Sequence, residues 1–148
     1  MSATETELPV VSSHLQGSLD AGLHREAREA MTPGVVTIVE DASVRQARRA
    51  MRAHGVHAVL VVGRSQGRPI GWVTARGLLS WAERDETMAF AREAVTEAPT
   101  SIDPSASVRE AVRAISQPGV THLLVQHHPD RLPEGVISEV DLLALGED

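Results

Sequence analysis

One pattern occurs twice in this chain, and that limits its fold more than any other feature. Shifted by 64 residues, Ala42-Ser43-Val44-Arg45-Gln46-Ala47 falls on Ala106-Ser107-Val108-Arg109-Glu110-Ala111. In the same register Gly55-Val56 meets Gly119-Val120, Leu60-Val61 meets Leu124-Val125, Gly71 meets Gly135, and Leu78-Leu79 meets Leu142-Leu143. Comparing 31–84 with 95–148 without gaps gives 18 identities in 54 positions, where unrelated sequences of ordinary composition would give about 3 to 5. Self-similarity at a fixed period marks a repeat architecture, so the fold is two copies of one unit.

Each copy reads as β-α-β-β-α. An extended piece (35–39; 100–102) leads into a polar turn, and Ser43 and Ser107 stand where a hydroxyl can cap a helix. Val44, Ala47, Ala50 and Met51, and again Val108, Ala111, Val112 and Ile115, follow helical spacing. Gly55 and Pro118-Gly119 are the expected stops. Apolar runs at 59–62 and 123–125 read as buried strands. Second strands follow at 70–74 and 135–138, with closing helices beginning near Arg76 and Val140. Such a unit is too small to bury an adequate core alone, so the copies are expected to pack on each other with pseudo-two-fold symmetry in a mixed α+β fold. The predicted organisation is a tail over 1–20, a first repeat with its leading helix over 21–84, and a second repeat over 85–148. Leu23, Ala27, Ala30 and Met31 form the stripe of that leading helix. The segment 80–95 is expected to prolong the first closing helix.

The composition removes whole classes of function. The 148 residues contain no cysteine, which excludes disulfides, thiolate metal sites and cysteine nucleophiles. All 14 basic residues are arginine, so lysine chemistry is absent as well. A net charge of -6 argues against nucleic acid or anionic lipid as a partner. No run approaches the roughly 20 apolar residues that span a bilayer, so no membrane role is expected. Met1 to Val10 carries acids without a basic run and does not read as a signal peptide, which makes the cytoplasm the expected address. No catalytic motif is present. His54, His57, His122, His127 and His128 lack the spacing of a chelate with an acidic partner, and no metal site is assigned.

The order of these elements resembles the tandem CBS-domain pair, or Bateman module. The matching residues are the Met31-Thr32-Pro33 entry, the Ser-Val-Arg-x-Ala helix start and the Gly-Val before an aliphatic strand. The most specific is Gly135-Val136-Ile137-Ser138-Glu139-Val140-Asp141-Leu142-Leu143. The resemblance covers about 25–148. It implies a sensor and not an enzyme: such pairs bind AMP, ADP, ATP or S-adenosylmethionine between their repeats, many dimerise, and some serve only as dimerisation modules. No cofactor is required.

By this resemblance Asp141 takes the ribose role, one carboxylate accepting from two neighbouring hydroxyls. Ser138, three residues earlier at a strand-to-helix turn, can hold ribose or phosphate. Val136 and the strand around Val56 supply apolar faces for adenine. Sites built across both repeats also bring in Thr32, Val36 and His57, with His122 reaching over from copy two near the phosphates. Phosphate affinity would then rise below about pH 6.5. The alternative is that Asp141 only caps its helix and Ser138 only ends a strand. At the pseudo-symmetric position Thr74 keeps the hydroxyl, Gly77 replaces the acid and Trp72 replaces Val136. That position is expected to be degenerate, Trp72 filling it, stacking on another ligand or serving as a core residue. The rival function is a ligand-free homodimer through Leu78, Leu79, Trp81, Leu142, Leu143 and Leu145, with an effector protein as a further partner.

Overall fold

The structure, a computed structural model, describes residues 22–129 and 132–144. The expected tail over 1–20, and Leu145, lie outside the described residues. A short helix α1 (Ala27–Ala30) and strand β1 (Thr32–Pro33) precede copy one, which runs β2 (Thr37–Val39), α2 (Val44–His54), β3 (Ala58–Val62), β4 (Pro69–Thr74) and α3 (Ala75–Leu79). After a 3₁₀ turn at Ala91–Ala94, copy two runs β5 (Ser101–Ile102), α4 (Val108–Ile115), β6 (His122–Val125), β7 (Gly135–Ser138) and α5 (Glu139–Leu143). Both copies are β-α-β-β-α, as the repeat predicts.

Local chemistry sets the boundaries. Ser43 caps α2 through a capping box with Gln46, and Ser107 caps α4 by accepting from the N–H of Glu110. Gly55 ends α2 at φ 63°, a left-handed turn that suits glycine. Helix α4 stops at Ile115, earlier than the Pro118-Gly119 signal suggests. Ser116 Oγ donates back to the Val112 carbonyl at 2.6 Å, and Gln117, as the residue before a proline, disfavours helix. The segment 80–95 does not prolong the first closing helix, contrary to expectation. Ser80 Oγ donates to the Gly77 carbonyl at 2.7 Å, and Asp85 accepts from the N–H of Thr87 at 2.9 Å in a turn.

The two copies exchange their leading segments. Strand β1, which precedes copy one, pairs antiparallel with β7 of copy two (Thr32 with Val136, Pro33 with Gly135), giving a sheet ordered β1-β7-β6-β5. The other sheet is β2-β3-β4, and linker residue Glu97 bridges to its Trp72. The backbone repeats this exchange bond for bond. Ala27 N–H donates to Ala106 O at 2.7 Å while Ala91 donates to Ala42 O at 2.6 Å. Arg28 donates to Pro104 O at 3.0 Å while Arg92 donates to Glu40 O at 3.1 Å. Thus Ala27 and Met31 pack in the core of copy two with Ile102, Ala111, Leu123, Val125 and Ile137. Ala91 and Ala94 pack in the core of copy one with Val44, Ala47, Val59, Val61 and Val73. The stripe does not form one helix running into copy one: Gly22 and Leu23 are helical, the chain leaves helix over 24–26, and Ala27–Ala30 is a separate turn packed on copy two. The duplicated tetrapeptide Ala27-Arg28-Glu29-Ala30 and Ala91-Arg92-Glu93-Ala94 is the sequence mark of this exchange.

Candidate ligand site

Side chains alternate across a strand, so the residues between those of each core face the other copy. Ala58, Leu60, Trp72 and Leu124 form a third buried cluster there, with Val35, Val62 and Val136 against it. The pseudo-two-fold relates Trp72 to Val136 and His122 to Ala58. At one end of this face Trp72, 1% exposed, lies against His122 with ring centroids 5.0 Å apart at 34°. At the other end the corresponding residues are Val136 and Ala58, which are far smaller.

The expected anchor stands at the end with the small side chains. Thr32 Oγ1 donates to Asp141 Oδ1 at 3.0 Å, joining residues 109 apart in sequence. The backbone N–H of Ser138 donates to Asp141 Oδ2 at 2.8 Å and Ser138 Oγ donates to the same oxygen at 3.2 Å. Thr32 is Cα partner to Val136, and His122 to Ser138. The structure therefore brings Thr32, Val136, Ser138 and Asp141 together where β1, β7 and α5 meet; His122 is the backbone neighbour of Ser138, and its ring lies on Trp72. Capping is present, with roles assigned differently from the alternative reading: Ser138 is the cap, and Asp141, three residues into the helix, reaches back to it. The box holds one carboxylate oxygen in place, and the other accepts from the Thr32 hydroxyl on the exposed leading strand.

The remaining candidates lie on copy one. Val36 and Val56 are half-buried against its core, the Val36 carbonyl accepting from Leu60 N–H at 2.9 Å. His57 is exposed, its carbonyl accepting from Ala75 N–H at 2.7 Å. Among the described residues no hydrogen bond joins Val36, Val56 or His57 to Asp141. Burial holds the His122 ring below the ordinary histidine value. Glu97, Glu139 and Asp141 pull it partly back, and His57 pushes it further down. His122 Nδ1 lies 2.8 Å from Thr121 Oγ1, whose hydroxyl donates to Glu97. Thr121 must then accept from Nδ1–H, which makes Nε2 the acceptor of the neutral ring. Donation from Nε2 to a phosphate requires the second proton.

The pseudo-symmetric position is built differently. Trp72 is a buried core residue between the sheets, its indole N–H without a partner. Thr74 Oγ1 caps α3 by accepting from Gly77 N–H at 3.0 Å. A Cβ at Gly77 would lie 3.1 Å from Thr74 Oγ1 and 3.3 Å from Thr96, so the corner is already tight. Glu97, buried beside Thr121 and His122, is the member of this region that sequence reasoning missed. Its signal was the substitution of an acid for Pro33 between otherwise similar leaders.

Of the residues offered for a dimer surface, some of which had to serve the core, Leu78 and Trp81 are buried in the first core and Leu142 packs against the second. Leu79, Val140 and Leu143 remain 75%, 71% and 76% exposed. A shallow hollow of about 410 Å³ is lined by Trp81, Arg84, Asp85, Met88, Ala89 and Glu93, and Asp141 is not among its lining residues. Among the described residues no three His, Asp or Glu side chains gather as a metal site, and no helix is long and apolar enough to cross a membrane.

A family model described as the CBS domain matches residues 27–84 and again 91–148. The chain belongs to the CBS domain family. Its two matched segments are the repeats of a tandem CBS pair, and solved CBS structures share the fold. One is the CBS domain of a bacterial CNNM/CorC family Mg2+ transporter in complex with ATP, 18% identical, covering 90% of this chain and 94% of that one at a TM-score of 0.75. Another is a CBS domain protein from Pyrobaculum aerophilum complexed with AMP, 21% identical, covering 78% and 88% at 0.69. Hypoxic Response Protein I, solved with two coordinated zinc ions, is 25% identical, covering 80% and 96% at 0.66. No curated protein matches the chain.

Proposed function

We propose that this chain is a cytoplasmic regulatory module that binds an adenosine-containing nucleotide (AMP, ADP, ATP or S-adenosylmethionine) between its CBS repeats, one per chain. The Thr32–Asp141–Ser138 cluster carries the reading: it sets a carboxylate, prepositioned by its own helix box, at the junction of the two repeats. CBS structures with bound ATP and AMP support the ligand class. Asp141 Oδ2 stays on the Ser138 N–H, and Oδ1 exchanges the Thr32 hydroxyl for a ribose hydroxyl. Val136 offers the adenine face, and Val36 and Val56 are the apolar residues proposed from copy one. His57 and, once protonated, His122 serve the phosphates. Binding regulates by favouring one arrangement of the repeats, or of a homodimer, over another, and so altering what an effector protein sees. No catalysis and no metal are required.

The test is thermal melting with AMP, ADP, ATP and S-adenosylmethionine on wild type and Asp141→Ala. A nucleotide at about 100 times its Kd adds about 2.7 kcal/mol, a shift of roughly 5–10 °C. The shift should appear with at least one nucleotide and vanish in Asp141→Ala. A shift that survives removes Asp141 as the anchor. No shift in a protein that still melts cooperatively favours the second reading, a ligand-free homodimerisation module, which the exposed Leu79, Val140 and Leu143 support.

A further inference from the structure

The linker between the copies carries a buried carboxylate whose partners all lie in copy two. Glu97 is 7% exposed. Its backbone belongs to the first sheet: its carbonyl accepts from Trp72 N–H at 2.8 Å, and Thr96 N–H donates to the Trp72 carbonyl at 3.1 Å. Two successive linker residues thus oppose one strand residue, the count of a β-bulge, which re-aims a side chain. The side chain is aimed across the interface. Oε2 accepts the N–H of Thr121 at 2.9 Å and of His122 at 3.2 Å, and Oε1 accepts the Thr121 hydroxyl at 2.5 Å. Successive N–H groups and a hydroxyl converging on one point make an anion-binding nest, and a carboxylate is kept in such a place only by donors of this kind.

The fold does not demand this arrangement. In the sister copy Pro33 stands in the place of Glu97, and His57 and Ala58 stand in the places of Thr121 and His122. Strand β1 pairs there with a regular register and no carboxylate enters. Trp72 meanwhile occupies the space that Val136 leaves at the other end.

We propose that Glu97 is a resident ligand. Its carboxylate occupies the anion position of the second inter-repeat cleft, Trp72 occupies the ring position, and together they close that cleft while clasping the segment paired with the sheet of copy one to copy two. The proposal rests on the nucleotide reading only in treating that position as a ligand position, and its test uses no nucleotide.

Thermal melting of wild type and Glu97→Ala is measured in chloride, acetate and inorganic phosphate at matched ionic strength. In chloride Glu97→Ala should melt lower by about 5 °C or more, and acetate or phosphate, entering the vacated nest, should raise its Tm by several degrees more than that of wild type. A Glu97→Ala protein that melts with wild type, or gains no more from either anion, overturns the proposal. If Glu97→Ala fails to fold in every buffer, Glu97→Gln decides. Its amide oxygen keeps the two N–H partners without the charge, so it should fold and melt below wild type. A Glu97→Gln protein melting with wild type overturns the proposal. Failure of the nucleotide reading would appear separately, as no nucleotide shift in wild type.

Discussion

The two ends of the inter-repeat face began as copies and have diverged, and the contrast shows where this chain specialised. At one end stand Val136, Ala58, Pro33 and Asp141; at the other, in the same places, stand Trp72, His122, Glu97 and Gly77. The residues between them, which point into the cores, have hardly changed: Val59 and Leu123, Val61 and Val125, Val73 and Ile137 are all aliphatic and all fully buried. Each sheet thus has one face held constant by packing and one face free to acquire chemistry. Bulk and an internal carboxylate accumulated at one end, while small side chains and a presented carboxylate were kept at the other.

The largest test of this contrast is to shrink each end in turn. Trp72 is buried between the sheets, so Trp72→Ala should destabilise by about 3–5 kcal/mol. Val136 is half-buried, and Val136→Ala should cost roughly 1 kcal/mol at about 0.8 kcal/mol per buried methylene. Urea unfolding of both variants reads the difference directly. Equal losses would mean that the two ends are equally filled and would break the comparison.

Much of this was legible before any coordinates, for physical reasons. Helix caps and glycine stops are local, so Ser43, Ser107 and Gly55 could be placed from their neighbours alone. The contact between Ser138 and Asp141 was legible because they lie three residues apart at a helix start, a spacing that brings them together whatever the tertiary fold. The exchange of leaders was not: four-residue helices carry too little periodicity to reveal which core they enter, and Ala27 suits either. Glu97 stayed hidden for a different reason. An acid in a polar linker reads as solvated, and only the pairing of Trp72 with the linker turns it inward. The continuation of the first closing helix through 80–95 failed because side-chain turns at Ser80 and Asp85 compete locally with helix, an effect the apolar spacing of Leu78 and Trp81 conceals.

A finer test sits in the two caps. Ser138 and Thr74 hold equivalent places, each accepting from the residue three positions on, at 3.4 Å and 3.0 Å. Replacing either by alanine should cost about 1 kcal/mol of stability. Only Ser138→Ala should also weaken nucleotide binding, several-fold, because Ser138 Oγ touches Asp141 whereas its counterpart faces Gly77. Titration calorimetry on both variants separates capping from ligand positioning. A Thr74→Ala protein that loses affinity equally would show the two ends to be one coupled site.

The smallest expected effect is a pH dependence carried by His122 at the filled end, whose counterpart Ala58 cannot titrate. Burial lowers the pKa of His122 in the folded state, so the unfolded chain takes up its proton first as pH falls. Stability should therefore be constant above about pH 6.5, the unfolded histidine value, and decline as pH drops from there toward the folded pKa. The lowered carboxyls of Asp41, Asp85 and Asp103 respond only below about pH 5 and leave the range between pH 7.5 and 5.5 clear. Urea unfolding at pH 7.5 and 5.5 should show the decline in wild type and a shallower one in His122→Gln. Bound nucleotide should oppose the decline, because a phosphate beside Nε2 favours the second proton that the apolar contact with Trp72 disfavours. A pH slope untouched by His122→Gln would place the titrating group elsewhere, and would detach the ring on Trp72 from the phosphate end of the site.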